Sequence, residues 1–392
     1  MVSKQFVRLS ANYFWYFGIL GLVVPFLSVF LDARGFTSLE IGEILAVITA
    51  TKIVAPTLWA QLADKSGKQL TIVKIGALLS LLSFSLIIWT VSYWPLMFSL
   101  AMFSLFWTAI LPQLEVMTLN SIRKSAKIYA RIRLWGSIGF IIVAMLAGEL
   151  IERYSAEAFS YIGIVILAGL FLSTLVSQQP RIKSLVKIDD SSIKDKIFKS
   201  NFLLFFFAGL MLQMSFGPYY VFFALYLKNM AYSGFLIGIF IAIGVVAEIG
   251  IFIFAGLFFK SFSLKTLISS SILLTALRWY IVGHYADSDI ALALSQLIHA
   301  LSFGLYHSAS IAFIQQHFNA NQQSRGQAIY IGGVYGIGGA VGAYMAGILW
   351  QDGMGAMTTF DFAALTAFIG GVSALFITNK PVKTRNKKPV II

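Results

Sequence analysis

Residues 178–200 read QQPRIKSLVKIDDSSIKDKIFKS. Six basic residues (Arg181, Lys183, Lys187, Lys194, Lys196, Lys199) make this the longest stretch of the chain that could not rest in lipid. On either side of it, from Arg8 onward and as far as Thr378, apolar runs of roughly 20 residues recur, each long enough to cross a ~30 Å hydrocarbon core as a helix. The chain of 392 residues is 58% hydrophobic and 11% charged, with a mean hydropathy of +0.83; a soluble domain carries about a quarter charged residues. A polar hinge between two apolar halves of equal length predicts an all-α membrane protein built as two bundles, 1–177 and 201–378. The hinge 178–200 then forms a central loop and 379–392 a basic tail.

Twelve spans are predicted, at 9–32, 38–62, 71–91, 94–119, 132–152, 157–177, 201–228, 233–259, 264–285, 288–318, 324–350 and 356–378. The net charge of +13 does not point to nucleic acid, because the charges fall in alternate loops. Of the 29 Lys and Arg residues, Arg34, Arg153 and Lys228 lie on one side and Lys52, Arg133 and Arg278 lie within spans. All the others share the opposite side. That side is expected to be cytoplasmic and to hold both termini and the central loop. The far face collects Asp32, Glu40, Glu157, Asp287, Asp289 and Asp352. The first span is too long and too aromatic for a cleaved signal peptide. With no cysteine, disulfide, thiol-nucleophile and thiolate-metal chemistry drop out.

The halves repeat each other. FLSVFLDARGFTSLEIG (26–42) lies over FFALYLKNMAYSGFLIG (222–238) without a gap, at an offset of 196 residues. Internal duplication of parallel halves is a habit of transporters and places a substrate site near the midplane between them. The same offset pairs Lys52 with Glu248, a charge of each sign at one depth. A lysine that deep costs a few kcal/mol unless it faces water or a partner. Lys52 therefore reads either as half of a structural ion pair or as a fixed cation for an anionic substrate. The aromatic run Tyr13–Phe17, with Trp15 at its centre, reads either as cavity lining or as packing and interface belt. Glu149 and Glu152, at the outer end of the fifth span, are expected to be solvated.

AQLADKSGKQ (60–69) contains Asp64, Lys65, Gly67 and Lys68 in the pattern D-[RK]-x-G-[RK]. This resembles the signature loop of the major facilitator superfamily, with Ala60 in place of the leading glycine and Gln69 in place of the last basic residue. The resemblance implies a conformational gate on the cytoplasmic side, not substrate contact. Glu115 in LPQLEVMTLN and Arg133 in YARIRLWGSIGF resemble the Glu/Arg substrate pair of lactose permease and its sugar–proton symport relatives. The text R-x-R-L-W-G-S is similar to the phenylpropionate-permease-like branch of that group. A planar guanidinium offers paired hydrogen bonds to a carboxylate or to vicinal hydroxyls. The order Glu248, Arg278, His299 resembles the proton-coupling set of the same permeases, but Ser302 holds the place of a carboxylate one turn after the histidine. Glu248 beside Arg278 is then the expected proton carrier, with Glu115 and His299 as alternatives. His307 is expected to bond between helices, and His284 and His317 receive no role.

The glycines of GGVYGIGGAVGAYMAG (332–347) lack the strand context of a dinucleotide loop and suit close, sliding helix contact. No H-E-x-x-H, G-x-S-x-G or metal-ligand cluster is present, and no acid completes a triad with His299 and Ser302. A membrane scaffold would not need ionisable residues near the midplane of several helices. Together these readings predict a monomeric, cofactor-free, twelve-helix secondary transporter of a bacterial inner membrane, not an enzyme. Its expected substrates are Arg133-, Glu115-, Lys52- and Trp15-bound aromatic carboxylates taken up with protons. Sugars or nucleosides stand second and drug/proton antiport third.

Overall fold

The computed structural model describes residues 2–122, 125–179, 192–319 and 322–378. Arg123, Lys124, residues 180–191 of the central stretch and the basic tail lie outside the described residues, as does the Asp64 side chain. Among the described residues twelve helices are long and apolar enough to cross a membrane: α1 Lys4–Ala33, α2 Ser38–Ala63, α3 Gln69–Ile88, α4 Tyr93–Ser121, α5 Lys127–Arg153, α6 Ala158–Leu175, α7 Ser200–Asn229, α8 Gly234–Ser261, α9 Leu264–His284, α10 Asp289–His317, α11 Gln323–Gly353 and α12 Ala356–Ala374. Each overlaps one expected span. The helix is favoured here because lipid offers no partner to a bare amide or carbonyl.

The duplication seen in the text recurs in the backbone. α1 and α7 end 196 residues apart, at Ala33 and Asn229. In the loops that follow, Gly35 and Ala231, again 196 apart, both adopt left-handed backbone, at φ +83° and +64°. The next helices then start alike. Thr37 caps α2 in a reciprocal box with Glu40, and the Ser233 hydroxyl caps α8 by accepting from the Leu236 amide, satisfying N–H groups left without helical partners.

The two six-helix bundles meet along α2 with α11, α5 with α8, and α1 with α7. These contacts concentrate at the face away from the described chain ends. A Cβ added at Gly42 of α2 would lie 2.6 Å from the Gly347 Cα of α11, so only glycine permits that crossing. Gly148 of α5 and Gly234 of α8 touch backbone to backbone in the same way. Small residues replace hydrophobic drive as the means of helix association in lipid. Hydrogen bonds reinforce both crossings. The Asp352 carboxylate accepts from the Ser38 hydroxyl at 2.5 Å and from the Ser38 amide at 3.3 Å. Glu152 is exposed, as expected of a solvated carboxylate, and also accepts from the Gly234 amide at 2.6 Å. The free amides at the start of a helix explain the added contact, because they attract an anion.

Toward the opposite face the bundles part. At Gly332 the nearest atom of α2 to an added Cβ is 3.8 Å away, and at Gly250 and Gly256 of α8 nothing lies within 4 Å. α10 and α11 each widen by one residue per turn near mid-height, over Ala300–Leu305 and Ile331–Gly338. Such irregular turns are frequent at functional sites.

Candidate functional site

Lys52 and Glu248 lie 14 residues into their helices from Ser38 and Gly234, or about 21 Å of rise, near the middle of a membrane-spanning helix. At 100° per residue, Lys52 faces away from Val54, which is 56% exposed on the outer surface of α2, and Glu248 faces away from Val246, 57% exposed on α8. Both therefore point into the space between the bundles. Each keeps some exposed surface. Among the described residues no hydrogen bond or ion pair is made by the Lys52 amine or the Glu248 carboxylate.

Arg133, on α5, completes the group. Its guanidinium lies 3.8 Å from the centroid of the Phe17 ring and 5.9 Å from that of Tyr13, both on α1. Gly136, one turn further along α5, makes room for this stack: a Cβ there would meet the Phe17 ring at 2.6 Å and Arg133 Nη1 at 3.0 Å. Stacked on the ring face, the guanidinium gains cation–π attraction while its edge donors remain open. Glu115 lies within electrostatic reach of Arg133, but its near contact is the Tyr129 hydroxyl, which donates to Oε1 at 3.3 Å. Among the described residues Arg133 makes no ion pair within 4.0 Å. Arg133 is also the cation that acts on Glu248 across the gap between the bundles. Gly304, in the widened turn of α10, lies against the Glu248 side chain, with 3.0 Å between its added Cβ and Glu248 Cγ.

The expected pairing of Glu248 with Arg278 is not formed. Arg278 of α9 is fully buried inside the second bundle. Its Nη1 lies 2.9 Å from His299 Nδ1, and its Nη2 donates to Gln296 Oε1 at 3.2 Å. Its carbon lies 4.3 Å from the Trp279 ring centroid and 4.4 Å from that of Tyr219. A guanidinium only donates, so His299 Nδ1 must accept, which makes His299 a neutral imidazole with its proton on Nε2. Its one lone pair is taken. That removes His299 from the candidates for carrying a proton while this contact stands.

Trp15 is placed elsewhere as well. Its indole packs on Gly169 of α6, where an added Cβ would lie 2.7 Å from the ring, on the side of α1 away from the gap between the bundles. Lys65 and Lys68 are exposed, and Gly67 ends its helix in left-handed backbone at φ 63°. Gln69, where the family pattern has a basic residue, is buried. It accepts from Gln179 Nε2 at 2.9 Å, while Gln179 Oε1 receives the Leu70 amide at 2.8 Å. The loop is thus tied to the segment after α6 in its own bundle.

Three tyrosines that the sequence does not single out join the site, and His307 bonds between helices as expected. Tyr220 of α7 lies within the fields of both Glu248 and Arg278. Tyr335 of α11 neighbours Glu248 and Tyr220, and its hydroxyl lies 3.1 Å from His307 Nδ1. Tyr129 holds Glu115. The chain contains 16 Tyr and 35 Phe, and no spacing marks these few among them.

The model of the MFS_1 like family matches residues 6–362 of the chain. The chain belongs to that family. This MFS_1-like transporter, a multi-pass integral membrane protein, is 27% identical over 375 residues to the probable 3-phenylpropionic acid transporter of Escherichia coli (strain K12), covering 94% of this chain and 97% of that one. It is 23% identical over 389 residues to the maltose permease of Geobacillus stearothermophilus, covering 94% and 93%. Among solved structures, a mutant form of the nucleoside transporter NupG superimposes with a TM-score of 0.86 at 16% identity, covering 95% of this chain and 99% of that chain. The MFS_1-like transporter therefore shares its fold with proteins of differing cargo, and its own cargo has to be argued from its side chains.

Proposed function

We propose that this transporter takes up a small aromatic carboxylate, of the phenylpropionate kind, together with a proton across a bacterial inner membrane. The observation that carries the reading is the set of charges facing the gap. Lys52, Arg133, Glu115 and Glu248 supply two charges of each sign, and Arg133 meets no carboxylate at contact distance. A bound monocarboxylate would leave this group one negative charge in excess. In a site of low dielectric such an excess is costly, and one proton on Glu248 removes it. Substrate and proton are then taken together because each makes the other's binding less unfavourable.

The parts of the cycle follow from their positions. The carboxylate lies along the open edge of Arg133 with its ring beside Phe17 and Tyr13, and Lys52 adds a second cation from α2. Protonated Glu248 no longer attracts Arg133 across the gap, so the bundles are free to rock about their midplane contacts. The bundles are joined at the face away from the chain ends and parted at the other. If the Lys/Arg-rich side is cytoplasmic, as their distribution supports, this is the inward-facing arrangement, and the protein acts as a monomer. The full-length similarity to a probable 3-phenylpropionic acid transporter supports this cargo. The full-length similarity to a maltose permease supports a sugar as the alternative.

The test is the pH outside proteoliposomes when substrates are added, with empty liposomes as the reference for acids that cross lipid unaided. Phenylpropionate-like acids should alkalinise the medium with wild type and not with Glu248→Gln. A signal from sugars alone, unaffected by Lys52→Ala, would overturn the carboxylate reading.

A further inference from the structure

α2 carries a second acidic residue that the transport site does not use. Glu43 lies nine residues before Lys52, which at 100° per residue is half a turn around the helix. Glu43 therefore faces away from the gap that Lys52 enters. It opens onto a cavity of about 380 Å³ between α2, α4 and α11, whose walls include Tyr93, Trp94 and Met97 of the first bundle and Tyr344 of the second. The cavity lies near the outer ends of α2 and α4, whose first residues are Ser38 and Tyr93.

The Glu43 carboxylate is held by a single contact: the Tyr93 hydroxyl donates to Oε2 at 2.5 Å. A carboxylate has about four acceptor positions, so most of its capacity is open toward the cavity. Among the described residues Glu43 has no ion-pair partner. The one other charge acting on Tyr93 is Glu40, also acidic, and already engaged with Thr37. An anion with about three acceptor positions still open, walled by two tyrosines, a tryptophan and a thioether, is the composition that attracts an organic cation. The carboxylate supplies Coulomb attraction and the rings supply their negative faces. Trp94 is 71% exposed and Tyr344 43% exposed, so the cavity is reached from the side, near one end of the spans.

We infer that this cavity is a binding site for an alkylammonium group, separate from the transport site. Because its walls come from both bundles, its shape depends on the closed outer face. An occupant would hold the arrangement in which the outer ends of α2, α4 and α11 lie together. The ammonium can belong to a soluble amine or to a lipid headgroup, and the chemistry of recognition is the same.

The experiment uses full-length protein in phosphatidylglycerol nanodiscs, titrated calorimetrically with hexylammonium. Wild type should bind saturably, and Glu43→Gln should bind at least tenfold more weakly. Trp94→Leu, at an exposed position, should bind several-fold more weakly. Repeating the titration in nanodiscs containing phosphatidylethanolamine separates the sources. A weakened apparent affinity assigns the site to the lipid headgroup, and an unchanged one assigns it to a soluble amine. Equal binding by Glu43→Gln and wild type overturns the proposal.

Discussion

The carboxylate of Glu152, at the end of α5, accepts a 2.6 Å hydrogen bond from the amide of Gly234, the first residue of α8 in the other bundle. Asp352, in the last turn of α11, does the same for Ser38, the first residue of α2. Ser38 and Gly234 are 196 residues apart, so the face away from the chain ends is closed by two carboxylate caps on equivalent helix starts, each reaching across between bundles. Hydrogen bonds to charged groups contribute about 1.5–3 kcal/mol each. Removing both caps should therefore shift the equilibrium toward opening of this face by tenfold or more.

That shift is measurable because the chain has no cysteine of its own. A single cysteine placed by Tyr335→Cys should react with a membrane-impermeant maleimide from the outer side faster in the Glu152→Gln, Asp352→Asn background than without those changes. Equal rates would show that the caps do not hold the face.

Gly42→Trp should act on the same equilibrium by sterics alone. Even a methyl group at Gly42 would lie 2.6 Å from Gly347 Cα, so an indole cannot be accommodated without separating α2 from α11. Transport should fall to background while substrate still binds from the outer side. Retention of full transport would contradict the crossing.

Arg133→Lys should weaken substrate binding by tenfold or more. Lysine keeps the charge but loses both the fork of donors and the flat face that lies 3.8 Å from the Phe17 centroid. Phe17→Leu should give a smaller loss of about 0.5–2 kcal/mol, the range of a cation–π contact. Both are read as dissociation constants by calorimetry, and a wild-type value for Arg133→Lys would exclude a bidentate role.

Glu248→Gln stands in for a permanently protonated carboxyl. Uptake driven by a proton gradient should be lost, and exchange of substrate across the membrane at equal pH should persist. Loss of exchange as well would assign Glu248 to substrate binding and leave the coupling to Glu115.

His299 separates a structural role from a coupling role. His299→Ala leaves a buried guanidinium donor without its acceptor, a change that costs about 1–3 kcal/mol or more for a charged group. Thermal stability in detergent should fall. His299→Gln, which restores an acceptor, should recover most of it, and coupled uptake should survive in that variant. Loss of coupling with stability intact would return His299 to the proton path.

Much of the architecture was legible before any coordinates. Apolar runs of membrane length marked all twelve helices, because in lipid the backbone can be satisfied only within such a helix and the requirement is local. The repeat of FLSVFLDARGFTSLEIG at an offset of 196 marked the second bundle, and Lys52 and Glu248 stood out because a charge in mid-span needs a reason. Each of these is a property of one segment or of two segments compared.

The partners were not legible. Arg278 and Glu248 are both charged and stand in helices close in sequence, yet Arg278 turns to His299 and Gln296 inside its own bundle while Glu248 lies within the field of Arg133 of the other bundle. Glu152 is the exposed carboxylate its position suggests, but its partner, the first amide of α8, lies in the other bundle. Phe17 was one aromatic among many until Gly136 made room for the Arg133 stack. Hydropathy is a sum along one helix and is blind to how that helix is rotated and which helix it meets. Sequence alone determined how many helices cross the membrane and that they come in two related sets. The tertiary structure decided which charges face each other, because that depends on contacts between helices far apart in the chain.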